Sequence, residues 1–293
     1  MIIGINNFIT YAIAFSALAI ASYTDLKTRE VPDWLNYGLI GAGLGLNLLF
    51  TAIYWKWNFF IGSIIGLSSF FILAWAMFYS GQWGGGDSKI LMGLGALIGI
   101  DIFAKKFPFM ANFFVNALFV GAAYGLLWSF FLAFKNKNKF SREFKKISKD
   151  KKVMEAKKWI LILFFVLAVL AVFVNEYSAR MILMYLALMS ILTFYIWIFV
   201  KAVEKACMLM YVEPQKLTEG DWIVNEIKID GKYITGPKDL GIGKKQINEL
   251  VMLHKKGKIK KVLMKIGIPF VPSFFIAFVV TLIYGNLVFL IIY

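Results

Sequence analysis

The chain has 293 residues, 60% of them hydrophobic and 17% charged, with a mean hydropathy of +0.72. Soluble domains carry about a quarter charged residues, so the composition excludes an ordinary soluble enzyme and indicates a polytopic membrane protein. The net charge of +15 lies mainly in two blocks between apolar runs, where the positive-inside rule explains it without any nucleic acid partner.

Apolar runs of about 17–25 residues mark the spans. The first covers 8–23 and runs straight into a polar loop, 24–33, without a small-residue cleavage pattern, so it reads as a retained span. The second covers 34–53. Trp55 and Trp57 mark the next interface, and the third span covers 58–79. A glycine-rich loop then leads to a short fourth span, 88–101, whose Gly95 and Gly99 form a GxxxG pair for close helix packing. The fifth span, 109–134, carries a second such pair at Gly121 and Gly125.

Residues 135–158 hold eleven Lys and Arg against three acids and read as a cytoplasmic loop. Two further spans lie in 159–200. Residues 201–265 differ: 221–224 and 227–229 read as short strands, Asp230-Gly231 as a hairpin turn into Tyr233-Ile234, and 243–256 as a helix. This stretch is expected to be a small cytoplasmic α+β domain. A last span lies in 266–293. The fold class expected is an all-α polytopic membrane protein of about eight transmembrane helices with that small domain attached.

Eight spans with 135–158 inside put loops 24–33, 80–87 and 201–265 on the cytoplasmic side and both termini outside. The outer loops then carry few charges, among them Lys56, Asp101, Lys105, Lys106, Glu176 and Arg180. The single cysteine, Cys207, excludes a disulfide framework and a multi-cysteine zinc site, and the only histidine, His254, reads as surface. No cofactor or metal is indicated.

This topology puts two acids at one membrane face. Asp25 ends the first span and Asp87 begins the fourth, after Gly84, Gly85 and Gly86. If those spans are neighbours, the carboxylates can share a site in which one holds a proton. One then deprotonates a water while the other polarises a carbonyl, the minimal apparatus of an aspartic protease. The plainer reading is that Asp25 caps the first span near Lys27 and Arg29, as loop acids commonly do, and that Asp87 is either a solvated acid in an interfacial turn or the cap of the fourth span. At a helix N-terminus Asp87 is the better placed to be ionised, leaving the proton on Asp25.

Gly84-Gly85-Gly86-Asp87 fits the GxGD motif of membrane aspartic proteases. The run through Ser88-Lys89 into Leu94–Gly99, with Asp25, Arg29 and Val31-Pro32-Asp33 in the first loop, resembles the type IV prepilin peptidases. The likeness covers about residues 8–134, and the lack of CxxC pairs resembles the archaeal preflagellin (archaellin) branch. The resemblance implies an aspartic endopeptidase that removes the short basic leader, a class III signal peptide, from pilin- or archaellin-like precursors at the cytoplasmic membrane face. It gives Asp25 and Asp87 the catalytic roles, with Gly84 and Gly86 as the motif glycines that admit extended substrate. N-methylation is not implied, because the zinc domain that accompanies it in bacterial members needs four cysteines. Lys89 either tunes the site or snorkels to the interface, and Glu30 and Asp33 either attract a basic leader or are solvated. The basic stretch 135–158 is expected to meet anionic lipid headgroups. The alternative from another class is a proton- or ion-coupled transporter that binds its ion at Asp25 and Asp87, although such sites usually lie near the midplane. A noncatalytic membrane scaffold is a third.

Overall fold

The computed structural model describes residues 5–101, 107–229 and 231–292. In chain order the first helices are α1 (Ile5–Thr28), α2 (Asp33–Tyr54), α3 (Asn58–Tyr79), α4 (Gly85–Ile98), α5 (Phe109–Lys135), the basic helix α6 (Lys137–Ser148), α7 (Lys151–Phe173) and α8 (Tyr177–Val203). Short strands follow, β1 (Leu209–Val212), β2 (Trp222–Ile223), β3 (Ile227–Ile229) and β4 (Lys232–Thr235). Then come α9 (Lys244–Lys255), β5 (Val262–Lys265), α10 (Val271–Tyr284) and α11 (Leu287–Ile292). Among the described residues, six helices are long and apolar enough to cross a membrane, while α4 and α10 have 14 residues each. The fold is that of a polytopic helical membrane protein with a small sheet-containing region.

The expected elements differ from the observed ones where apolarity is a poor guide to helix ends. Helix α1 continues beyond the apolar run to Thr28, so Asp25 sits on the helix rather than in a loop. The basic stretch is largely helical. In α6, Phe140, Phe144 and Ile147 recur at helical spacing and pack with Phe194 and Ile198, while the lysines face outward. The last apolar stretch is split at Gly285, whose φ of +72° ends α10. Strands β3 and β4 pair antiparallel around Gly231 (φ +78°); the predicted turn residue Asp230 lies outside the described residues, as do Lys105 and Lys106. His254 is half-buried, its Nδ1 lying 2.8 Å from the Ile259 carbonyl.

The chain forms two compact units. One comprises residues 1–125, 212–262 and 267–293; the other comprises 126–211 and 263–266. In the second, α7 packs along α8, and α7 leaves most of its apolar surface uncovered by protein, as a lipid-facing helix does.

The first unit is built on glycine. A Cβ on Gly95 would lie 2.5 Å from the Gly66 carbonyl oxygen, and one on Gly99 3.0 Å from the Gly62 backbone. Helices α3 and α4 therefore touch backbone to backbone, with residue numbers running in opposite directions. On the other side of α4, Gly93 meets Leu39 and Gly43 meets Leu97, so α2 and α4 run parallel with their N-termini at one end. Only four residues join α1 to α2, which brings the C-terminal end of α1 to that same end. The second GxxxG pair is not used as a pair: Gly121 faces the Phe270 ring, and Gly125 has open space beside it. Helix α10 lies against α1, Phe275 on Phe15 and Phe278 on Tyr11, and Asn116 of α5 binds Thr281 and the Gly285 carbonyl.

Candidate active site

The face that packs α1 inward comprises Ala14, Ala17, Leu18, Ala21, Ser22 and Asp25. Their spacing alternates between three residues and one, a helical stripe, so the carboxylate of Asp25 is carried in with the apolar face and is only 5% exposed. Asp25 Oδ2 accepts the Val271 N–H at 2.9 Å, and the main-chain N–H of Phe270 is a second donor to the same carboxylate. Arg29 ends the helix with φ +60°, its N–H bonded to the Asp25 carbonyl at 2.9 Å. That left-handed turn, uncommon outside glycine, directs its guanidinium to the Gly267 carbonyl oxygen and leaves the cation near Asp25.

Asp87 is the third residue of α4. Its Oδ2 accepts the Gly84 N–H at 3.0 Å, so it does cap its own helix. A Cβ on Gly86 would lie 3.3 Å from the Val31 side chain, and one on Gly84 3.3 Å from Asp87 Oδ2. The glycine at 86 thus lets the loop after α1 close on the loop before Asp87, while Gly85 has only ordinary contact with Phe78. The loop before α4 is held from two sides. Trp83 is buried, its ring 5.4 Å from that of Phe274 and 6.5 Å from that of Phe270. Gly81, at φ +70°, lies beneath Trp222, where a Cβ would meet the indole at 3.0 Å.

The charge of Asp25 reaches Asp87, so the helix packing brings the two sequence-predicted acids into one electrostatic site, and it reaches Tyr124 of α5 as well. Lys89 turns to α2: its Nζ lies 2.6 Å from Asp33 and 5.3 Å from the Tyr37 ring centroid. Asp33 therefore has a cation already. Asp221, just before β2, accepts the Thr218 N–H at 2.8 Å and feels Glu30; burial pushes its carboxyl up. Among the described residues, no group of three or more His, Cys, Asp or Glu comes together as metal ligands would.

Several neighbours escaped sequence reasoning. The Pro269-Phe270-Val271-Pro272 run signals a helix start and nothing about its partner. Ser22, one turn before Asp25, and Asn36 on α2 have buried side-chain polar atoms without a hydrogen-bond partner among the described residues; such groups lie at sites of function or strain more often than elsewhere.

Residues 12–126 match the model of the type IV leader peptidase family. A preflagellin peptidase of Methanococcus voltae is 45% identical over 94 residues, which is 31% of this chain and 38% of the relative. A preflagellin peptidase of Methanocaldococcus jannaschii is 44% identical over 92 residues, again 31% and 38%. A prepilin peptidase of Methanothermobacter thermautotrophicus is 25% identical over 160 residues, 49% of this chain and 41% of the relative. The chain thus matches well under half the length of these relatives. The stretch that carries Asp25 and Asp87 is thus the part of this chain that is similar to the type IV leader peptidase family.

Proposed function

We propose that this protein is a membrane-embedded aspartic endopeptidase that removes the short basic leader from prepilin- or preflagellin-like precursors at the cytoplasmic face of the cell membrane, with both termini outside. The observation that carries the reading is the electrostatic interaction of Asp25 with Asp87 at one end of the α1–α4 bundle, inside a stretch similar to preflagellin peptidases. Two like charges in one site hold a proton between them. One carboxylate can then take a proton from water as it attacks the scissile carbonyl while the other protonates the carbonyl oxygen. Gly84 and Gly86 let the loops on either side of Asp87 close tightly around it, and Lys89 shapes the first loop through Asp33. The position of both acids at a helix end, rather than near the midplane, favours hydrolysis over ion transport.

The test is cleavage of a pilin-like precursor in membranes by wild type, Asp25→Asn and Asp87→Asn. Loss of the size shift in both variants at unchanged expression supports the dyad. Cleavage that survives either substitution removes that aspartate from the mechanism.

A further inference from the structure

The donor to Asp25 comes from residues 270–271, outside the stretch 12–126 that matches the family and 246 residues away from Asp25 in sequence. Three features hold this strap. Arg29 binds the Gly267 carbonyl, the Phe270 ring fills the space left by Gly121 and touches the Trp83 and Phe274 rings, and α10, a full 14-residue helix, starts at Val271. Asp25 therefore accepts N–H groups at the positive end of a helix and feels the charge of the Arg29 guanidinium, which together favour the anion. Among the described residues Asp87 accepts one N–H, from Gly84 at the cap of its own helix. The groups facing Asp25 that carry charge or titrate are Arg29 of its own helix, Asp87 of α4 and Tyr124 of α5; α10 brings main-chain dipoles.

We infer that the strap 267–271 and Arg29 are positioning residues that hold Asp25 as the ionised base, so that Asp87 is the partner that carries the proton. This rests on the peptidase reading and reverses the assignment drawn from the position of Asp87 on its helix. In the resulting step, Asp25 takes a proton from water as the water oxygen bonds to the carbonyl carbon, and Asp87 gives its proton to the carbonyl oxygen, forming a gem-diol. On collapse Asp25 passes its proton to the amide nitrogen as the C–N bond breaks. Asp87 regains a proton from a diol hydroxyl, and both groups return to their starting states.

The experiment measures kcat and KM for precursor cleavage by the full-length protein in detergent across a pH series. It compares wild type with Val271→Pro, Arg29→Gln and Arg29→Lys. Proline at the first helical position is compatible with the helix and deletes the N–H. Because it also restrains Phe270 before it, Arg29→Gln supplies an independent cut. Val271→Pro is expected to lower kcat about tenfold with KM within about twofold, and to move the acid limb of the kcat profile upward by about one pH unit, since the ionised form has lost a donor. Arg29→Gln is expected to shift the limb the same way, and Arg29→Lys to recover most of the rate, because it keeps a cation and a donor. If Val271→Pro fails to fold, the Arg29 pair decides. An acid limb unmoved in every folded variant overturns the inference while wild-type cleavage keeps the peptidase reading. A wild type that cleaves no precursor overturns both.

Discussion

The main-chain N–H of Val271 lies 2.9 Å from Oδ2 of Asp25. This bond ties the last third of the chain to the first helix at the position where the chemistry is proposed. It makes the aromatic packing of α10 a determinant of the site as well as of stability.

Phe274 is fully buried, and its ring meets those of Trp83, Phe113 and Phe270. Phe274→Ala is expected to cost about 3–5 kcal/mol and to loosen the loop before Asp87 through Trp83. Thermal unfolding in detergent and limited proteolysis around residue 82 measure the two effects.

Gly121 and Gly125 are equivalent in sequence and not in space. A Cβ at 121 would lie 2.6 Å from the Phe270 ring, whereas 125 is open. Gly121→Leu is expected to destabilise by about 1–3 kcal/mol through overpacking and to lower cleavage by displacing the strap. Gly125→Ala is expected to leave the thermal midpoint and the cleavage rate near wild type. Equal effects from both would remove Phe270 from the argument.

The α3–α4 contact tolerates no side chain at Gly95, where a Cβ would sit 2.5 Å from a carbonyl oxygen. Gly95→Val must separate the helices and is expected to abolish stable expression. Gly45→Ala, with nothing within 4 Å of its Cβ among the described residues, is expected to express normally. Membrane-fraction immunoblots compare the pair.

Asp221 carries a pH prediction. Burial raises its folded pKa above the unfolded value of about 3.9. Its contribution to stability is therefore fully present below about pH 4 and is lost as pH rises through the raised value. Asp221→Asn keeps an acceptor for the Thr218 N–H. It is expected to raise the thermal midpoint more at pH 8 than at pH 5, and a midpoint difference independent of pH would contradict this. Asp221 also feels the charge of Glu30, so the same variant reports on the charge balance of the first loop.

Asn36 is fully buried, and neither polar atom of its amide has a partner among the described residues. An unsatisfied buried polar group costs about 1–3 kcal/mol. Asn36→Leu is accordingly expected to raise the thermal midpoint by a few degrees, read by the same unfolding assay.

Much of this protein is written in its one-dimensional pattern. Hydrophobic runs of membrane length and the basic blocks between them suffice for the membrane class, and with the glycines before Asp87 they make Asp25 and Asp87 candidates among the seventeen acids of the chain. Burial in lipid and turn geometry are local demands, and local demands leave periodic marks. The strands β3 and β4 and helix α9 were legible for the same reason. What the pattern does not carry is partnership between distant segments. Gly95 and Gly121 both stand in GxxxG pairs, yet one admits a helix backbone and the other an aromatic ring, because the occupant depends on which element folds beside it. Asp25 falls at the end of an apolar run and so reads as a loop acid. Only the packing of α10 and the left-handed turn at Arg29 bury it under main-chain donors. The ionisation of a carboxylate is set by its three-dimensional surroundings, and for Asp25 those surroundings come from a segment 246 residues away.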